Sequence, residues 1–128
     1  MIRVTCAIII WEGKVFAARR QVTARHALKW EFPGGKVETG ESDRECLERE
    51  LKEELDLQVT VGAGLTPVHH CYEDFTIVLV PFVCTSKNPK YTLKEHIAAG
   101  WFTVAELSLL DWADADRKVL EKVKTLLS

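Results

Sequence analysis

The chain has 128 residues, 47% of them hydrophobic and 28% charged, with a formal net charge of -2 at pH 7. That length allows one domain with one core and excludes two, and no stretch is polar or repetitive enough for a linker or a disordered tail. The slightly negative charge excludes general electrostatic attraction to a nucleic-acid polymer or an anionic membrane as the main binding force, so any phosphate recognition has to be local.

Residues 2–11 are β-branched and apolar on both alternating faces, the pattern of a central strand covered on each side. Glu12-Gly13-Lys14 predicts a turn into a second strand over residues 15–20. A polar stretch, residues 21–29, leads to Trp30-Glu31-Phe32 and then to Pro33-Gly34-Gly35, which predicts a loop because that triplet suits neither regular strand nor helix. Residues 42–55 read as a helix: Ser42 can cap it with Glu45, and Leu47, Leu51 and Leu55 recur every four residues as a stripe that packs on a sheet.

Two strand-like runs follow, 65–72 and 75–84, joined by Glu73-Asp74, and then a polar loop over 85–95 and a last strand over 97–102. Thr103 and Glu106 form a capping box for a short helix. Asp114 or Asp116 can cap a final helix ending near Leu127, apolar at Val119, Leu120, Val123, Leu126 and Leu127. Strands around the first helix and helices at the end predict an α/β fold, a mixed β-sheet between helices, as a single domain over 1–128. Cys6, Cys46, Cys71 and Cys84 are widely spaced without a zinc-type pattern and read as reduced, mostly buried thiols. The apolar run Thr5 to Trp11 is too short to span a bilayer and lacks a cleavage site, so a cytoplasmic location is expected.

The chemistry is concentrated between Gly34 and Glu54. At roughly 100° per residue, Glu50, Glu53 and Glu54 fall on one arc at the border of the leucine stripe. Glu45 can pair with Arg49 and Glu48 with Lys52, which leaves that cluster little basic compensation beyond an Arg49 to Glu53 contact. Like charges a few ångströms apart repel by roughly 4 kcal/mol per pair at an effective dielectric near 20. Such a cluster calls for cations, and oxygen donors without His or Cys point to Mg²⁺ or Mn²⁺ rather than Zn²⁺. Gly34 and Gly35 let the backbone approach a metal or phosphate, and Gly40 relieves the turn before Glu41.

These residues resemble the Nudix box, G-x5-E-x7-R-E-U-x-E-E-x-G-U with U bulky and apolar, from Gly35 through Glu41, Arg49, Glu50, Leu51, Glu53 and Glu54 to Leu57. One position departs: Asp56 stands for the late glycine, where a left-handed conformation is useful and Asp tolerates it better than most residues. The resemblance covers nearly the whole chain, and Trp30 to Lys36 is similar to the run before the box in MutT-like nucleotide-pool hydrolases and bacterial CTP pyrophosphohydrolases.

The resemblance implies the Nudix α/β/α sandwich and Mg²⁺-dependent hydrolysis of a nucleoside triphosphate to monophosphate and pyrophosphate by attack of water. CTP, dCTP or 8-oxo-dGTP are the substrates it suggests. It implies metal ligands at Glu50, Glu53, Glu54 and the Gly34 carbonyl, with Glu95 completing the site from a distant loop. Arg49 then orients a carboxylate, Glu41 fixes the loop against the helix, and Glu50, or alternatively Glu95, is the general base.

Arg20, Gly35 and Lys36 are candidates for phosphate contact, with Arg19 facing away; Trp30 and Phe32 can offer a wall to the base, although Phe32 equally suits the core. Asp116 resembles the position that meets the base, where an ionised carboxylate accepts from cytosine- or guanine-type edges; helix capping is its other reading. His69, His70 and His96 are taken as strand and loop residues. The expected partner is a nucleotide, with no nucleic-acid polymer and no membrane, in a monomer or homodimer. The alternatives are another nucleoside diphosphate-linked substrate or a catalytically inactive nucleotide sensor.

Overall fold

The computed structural model describes residues 1–127; the last residue of the expected domain, Ser128, lies outside the described residues. Strand β1 (Ile2–Trp11) pairs in parallel with β7 (Thr76–Thr85) over nine register positions, Ile2↔Ile77 to Ile10↔Thr85, and this pair is the axis of the sheet. Its neighbours are antiparallel: β2 (Lys14–Arg19) on β1, β3 (Trp30–Glu31) and β8 (Ala98–Phe102) on β2, and β5 (Thr60–Gly64) and β6 (Val68–Cys71) on β7. The expected mixed sheet is therefore present.

Period-two alternation along β1 explains the layers. Ala7 and Ile9 face helix α1 (Asp43–Leu55), where Leu47, Leu51 and Leu55 are fully buried with Phe16, Val78 and Val80. Cys6 and Ile8 face the other side, where α3 (Asp114–Leu127) lays Val119, Leu120 and Val123 against Trp112 and Leu107, the latter from the one-turn α2 (Val104–Leu107). Each fully buried leucine or valine contributes on the order of 1.5–3 kcal/mol. No helix among the described residues is long and apolar enough to cross a membrane.

The helix ends follow the local code. Ser42 and Glu45 form a reciprocal capping box, as do Thr103 and Glu106. Asp56 closes α1 in the left-handed region, φ 48 and ψ 33, its N–H donating to the Lys52 carbonyl. It occupies the backbone conformation for which glycine is the usual choice.

Two features differ from the sequence expectation. Gly34–Lys36 is not a free loop but β4, antiparallel to β1 with Cys6↔Gly34 and Thr5↔Gly35. The reason is steric, since a Cβ on Gly34 would lie 2.0 Å from the Thr5 carbonyl oxygen, so only glycine lets the chain come this close. Second, the strand expected over 65–72 shortens to β6, and β5 over residues 60–64, which the sequence reading did not predict, precedes it, with Leu65 N–H bonding the Pro81 carbonyl between the two. As expected, the thiols are free and mostly buried, Cys6, Cys46 and Cys84 enclosed and Cys71 exposed.

Candidate active site

Pairing of β4 with β1 holds Gly34 and Gly35 against the Glu50 and Glu54 side of α1, at one part of an open cleft of about 480 Å³. Gly35 is needed there because a Cβ would sit 2.3 Å from the Glu50 carboxyl carbon. Glu54, only 4% exposed, accepts from the Gly34 N–H at 3.3 Å. Burial, then the nearby carboxylates of Glu31, Glu50 and Glu95, pushes its carboxyl up to about 9. Burial also raises the Glu50 carboxyl, against the lowering hydrogen bond from Arg49.

Arg49 is the knot between loop and helix. Its guanidinium forks onto Glu41 at 2.7 and 2.9 Å, donates to Glu50 at 2.8 Å and Glu53 at 3.2 Å, and reaches the Lys36 carbonyl at 3.3 Å. The fork, with a further bond from the Glu38 end of the turn, holds the Glu41 carboxyl down at about 2 and raises the guanidinium in turn. Glu41 also accepts from Glu38 N–H across the turn that contains Gly40. The Glu45 to Arg49 pair expected from spacing does not form, because Glu45 is spent on the capping box.

The expected carboxylate arc is split. Glu54 points inward and Glu50 lines the cleft edge, while Glu53 is exposed and turned to Arg49. Among the described residues no three Asp, Glu, His or Cys side chains converge into a metal cage by themselves. Successive helical positions diverge by about 100°, and Arg49 draws two of the three acids towards itself. Glu95, from the loop after β7, joins Glu50 and Glu54 on the cleft wall, and the exposed Lys36 lines the same cleft.

The rest of the cleft is aromatic and apolar. Tyr72 stacks on Phe75 at 5.2 Å and meets His26 tilted at 4.4 Å, Arg25 lies over the Phe75 ring at 4.3 Å, and Ile77, Leu79 and Ala113 line the floor. Asp116 stands in the first turn of α3 and accepts from Phe32 N–H at 2.9 Å through Oδ2. Burial and the nearby Glu31 raise its carboxyl well above the usual range. Phe32 is core, 2% exposed and stacked on Trp112 at 4.5 Å, and only touches the cleft as lining.

Trp30 does not line the cleft; it meets Phe102 edge-on at 5.4 Å and its backbone pairs with Asp111 and Ala113, just ahead of α3. Arg20 lines the cleft and donates to Glu31 at 2.7 Å and to the Arg25 carbonyl at 2.6 Å, while Arg19 turns away to the Leu28 carbonyl. Sequence reasoning missed Glu31, Tyr72, Phe75, Arg25 and His26 as cleft residues and took His96 as a plain loop residue. Glu31 carried a signal, a charge between Trp30 and Phe32 in a two-residue strand; the others carried none, since their meeting depends on the tertiary fold.

Fold and site together define the class, a hydrolase acting on phosphorus-containing anhydrides. The chain belongs to the NUDIX family: a NUDIX domain profile matches residues 1–123. It is 36% identical over 126 residues to the CTP pyrophosphohydrolase of Escherichia coli (strain K12), covering 98% of this chain and 93% of that protein. It is 31% identical over 122 residues to the 8-oxo-dGTP diphosphatase of the same organism, covering 89% and 88%. Among solved structures it resembles the MutT protein from Methanosarcina mazei Go1, with a TM-score of 0.88 at 26% identity, covering 98% of this chain and 94% of that one. It also resembles the solution structure of the E. coli ORF135 protein, with a TM-score of 0.83 at 35% identity, covering 98% and 90%.

Proposed function

We propose that the chain hydrolyses a nucleoside triphosphate, normal or oxidised, to the monophosphate and pyrophosphate, with Mg²⁺ as cofactor and Mn²⁺ as its substitute. One observation carries the reading: a single cleft joins an acid set beside a glycine strand to an aromatic pocket ending at Asp116. The relatives named for CTP and for 8-oxo-dGTP narrow the triphosphates to those with cytosine- or guanine-type edges.

The acids fit a hard divalent cation. A buried Glu54 flanked by further carboxylates is a site where positive charge is stabilising, and the donors are all oxygens. Glu50, Glu53, Glu54, Glu95 and the Gly34 carbonyl would hold the ion, with Glu53 leaving Arg49 to do so. Bound there, the cation supplies charge neutralisation for the diphosphate and makes water more acidic.

The chain's own groups do the rest. Glu50 takes the proton of the attacking water at its carboxylate, for which a pKa raised by burial is an advantage; Glu95 is the alternative base. Arg49 keeps Glu50 against the loop, and Arg20, Gly35 and Lys36 meet the phosphates. Tyr72 and Phe75 flank the base, while Asp116, held through Oδ2 by Phe32, offers Oδ1 to an amino group or ring N–H. The test is kcat/KM for CTP, dCTP, dGTP, 8-oxo-dGTP and dATP in Mg²⁺ and in EDTA, with pyrophosphate and orthophosphate read separately. Orthophosphate as the sole product, or full activity in EDTA, overturns the reading.

A further inference from the structure

The site as read above takes Glu95 from an exposed loop between β7 and β8, and a loop residue serves chemistry only where something holds it. Two backbone bonds bracket the position: Lys94 N–H donates to the Glu54 carbonyl at 3.2 Å and Ile97 N–H to the Arg19 carbonyl at 3.0 Å. Between them His96 turns into the protein, 8% exposed, with Nε2 2.8 Å from Glu31 Oε2. The other Glu31 oxygen accepts from Arg20 Nη1 at 2.7 Å. The Glu31 backbone is itself fixed in register opposite Ala18 of β2. A carboxylate anchored at its backbone and at one oxygen thus receives, at its second oxygen, the neighbour of the loop acid.

We propose that Glu31 is a positioning residue for hydrolysis, setting the place of Glu95 through His96; this rests on the reading of Glu95 as a working acid. Glu31 lines the same cleft as Glu50 and Glu54 but is occupied by two donors, so its part is to hold rather than to react. His96 transmits the constraint over one peptide unit.

Glu31→Gln keeps the shape but offers one acceptor where two donors converge, and its amide NH₂ opposes the second donor. With CTP and with 8-oxo-dGTP as substrates, kcat is expected to fall about tenfold, and the Mg²⁺ concentration for half-maximal rate to rise, with melting temperature nearly unchanged. Loss of the Arg20 anchor registers in KM instead, which separates the two ties. Glu95→Gln is the reference. The Glu31→Gln/Glu95→Gln double variant is expected to have the kcat of Glu95→Gln alone within about twofold, because the first change acts only through the second.

His96→Leu should reproduce the kcat loss, and His96→Gln, whose amide nitrogen takes the place of Nε2, should restore most of it. If His96→Leu does not fold, Glu31→Gln and the double variant decide. A Glu31→Gln kcat equal to the parent, or kcat losses that multiply in the double variant, overturns the proposal while leaving Glu95 in place. A Glu95→Gln variant as active as the parent overturns the reading of Glu95 and this proposal with it.

Discussion

Glu54→Gln tests the acid set through folding rather than turnover. Glu54 is 4% exposed, and burial with nearby Glu31, Glu50 and Glu95 raises its carboxyl from 4.5 to about 9. The folded chain therefore holds this proton more tightly than the unfolded chain. The group costs nothing below pH 4.5, and the native state loses stability as pH rises from there towards about 9. At about 1.4 kcal/mol per unit, the penalty at pH 7 in metal-free protein is roughly 3 kcal/mol. Gln is neutral throughout, and its Oε1 still accepts from the Gly34 N–H.

The metal-free variant should thus match the parent near pH 4.5 and exceed it at pH 7 by up to roughly 3 kcal/mol, or on the order of 10 °C in Tm for a domain of this size. Mg²⁺ should raise the parent's Tm and leave the variant's nearly unmoved, since an ion that binds only the native state stabilises it. Thermal unfolding in EDTA from pH 4.5 to 9, repeated with Mg²⁺, reads all three effects. A parent Tm that is flat with pH, or a variant less stable at every pH, would refute the reasoning.

Gly35→Ala puts a Cβ 2.3 Å from the Glu50 carboxyl carbon, so the flexible side chain is displaced while the fold survives. Steady-state kinetics should show kcat falling about a hundredfold, and an unchanged kcat would remove Glu50 from the chemistry. Because Arg49 holds the Glu41 carboxyl at about 2, the stability it contributes is present above 4.5 and lost as pH falls through 2. The Tm gap between parent and Glu41→Gln should accordingly be widest above pH 5, narrow as pH falls, and close only near pH 2. Asp116→Ala is expected to cost about 1–3 kcal/mol in transition-state terms for the best triphosphate and less for poor ones, with Asp116→Asn reordering base preference. A uniform loss with a lowered Tm would leave Asp116 as the tether of Phe32 and no more.

Local sequence determined the parts whose physics is local. The leucine stripe, both capping boxes and the left-handed Asp56 depend on residues three or four apart, and all could be read from the chain alone. The box also marked the acids and Arg49, since spacing along one helix sets their relative angles.

Tertiary structure decided the rest because it rests on residues distant in sequence. Gly34–Lys36 becomes a strand only because β1 lies alongside it, and Gly34 tolerates the contact. Helical periodicity grouped Glu53 with Glu54, but burial on the sheet side separates the enclosed acid from the exposed one. The base pocket needs the turn after β6, the loop after β2 and the start of α3 in one place, and the Glu31 to His96 bond spans 65 positions. Such meetings are set by the parallel β1–β7 pairing and the packing of both helical layers, and no short-range pattern encodes them.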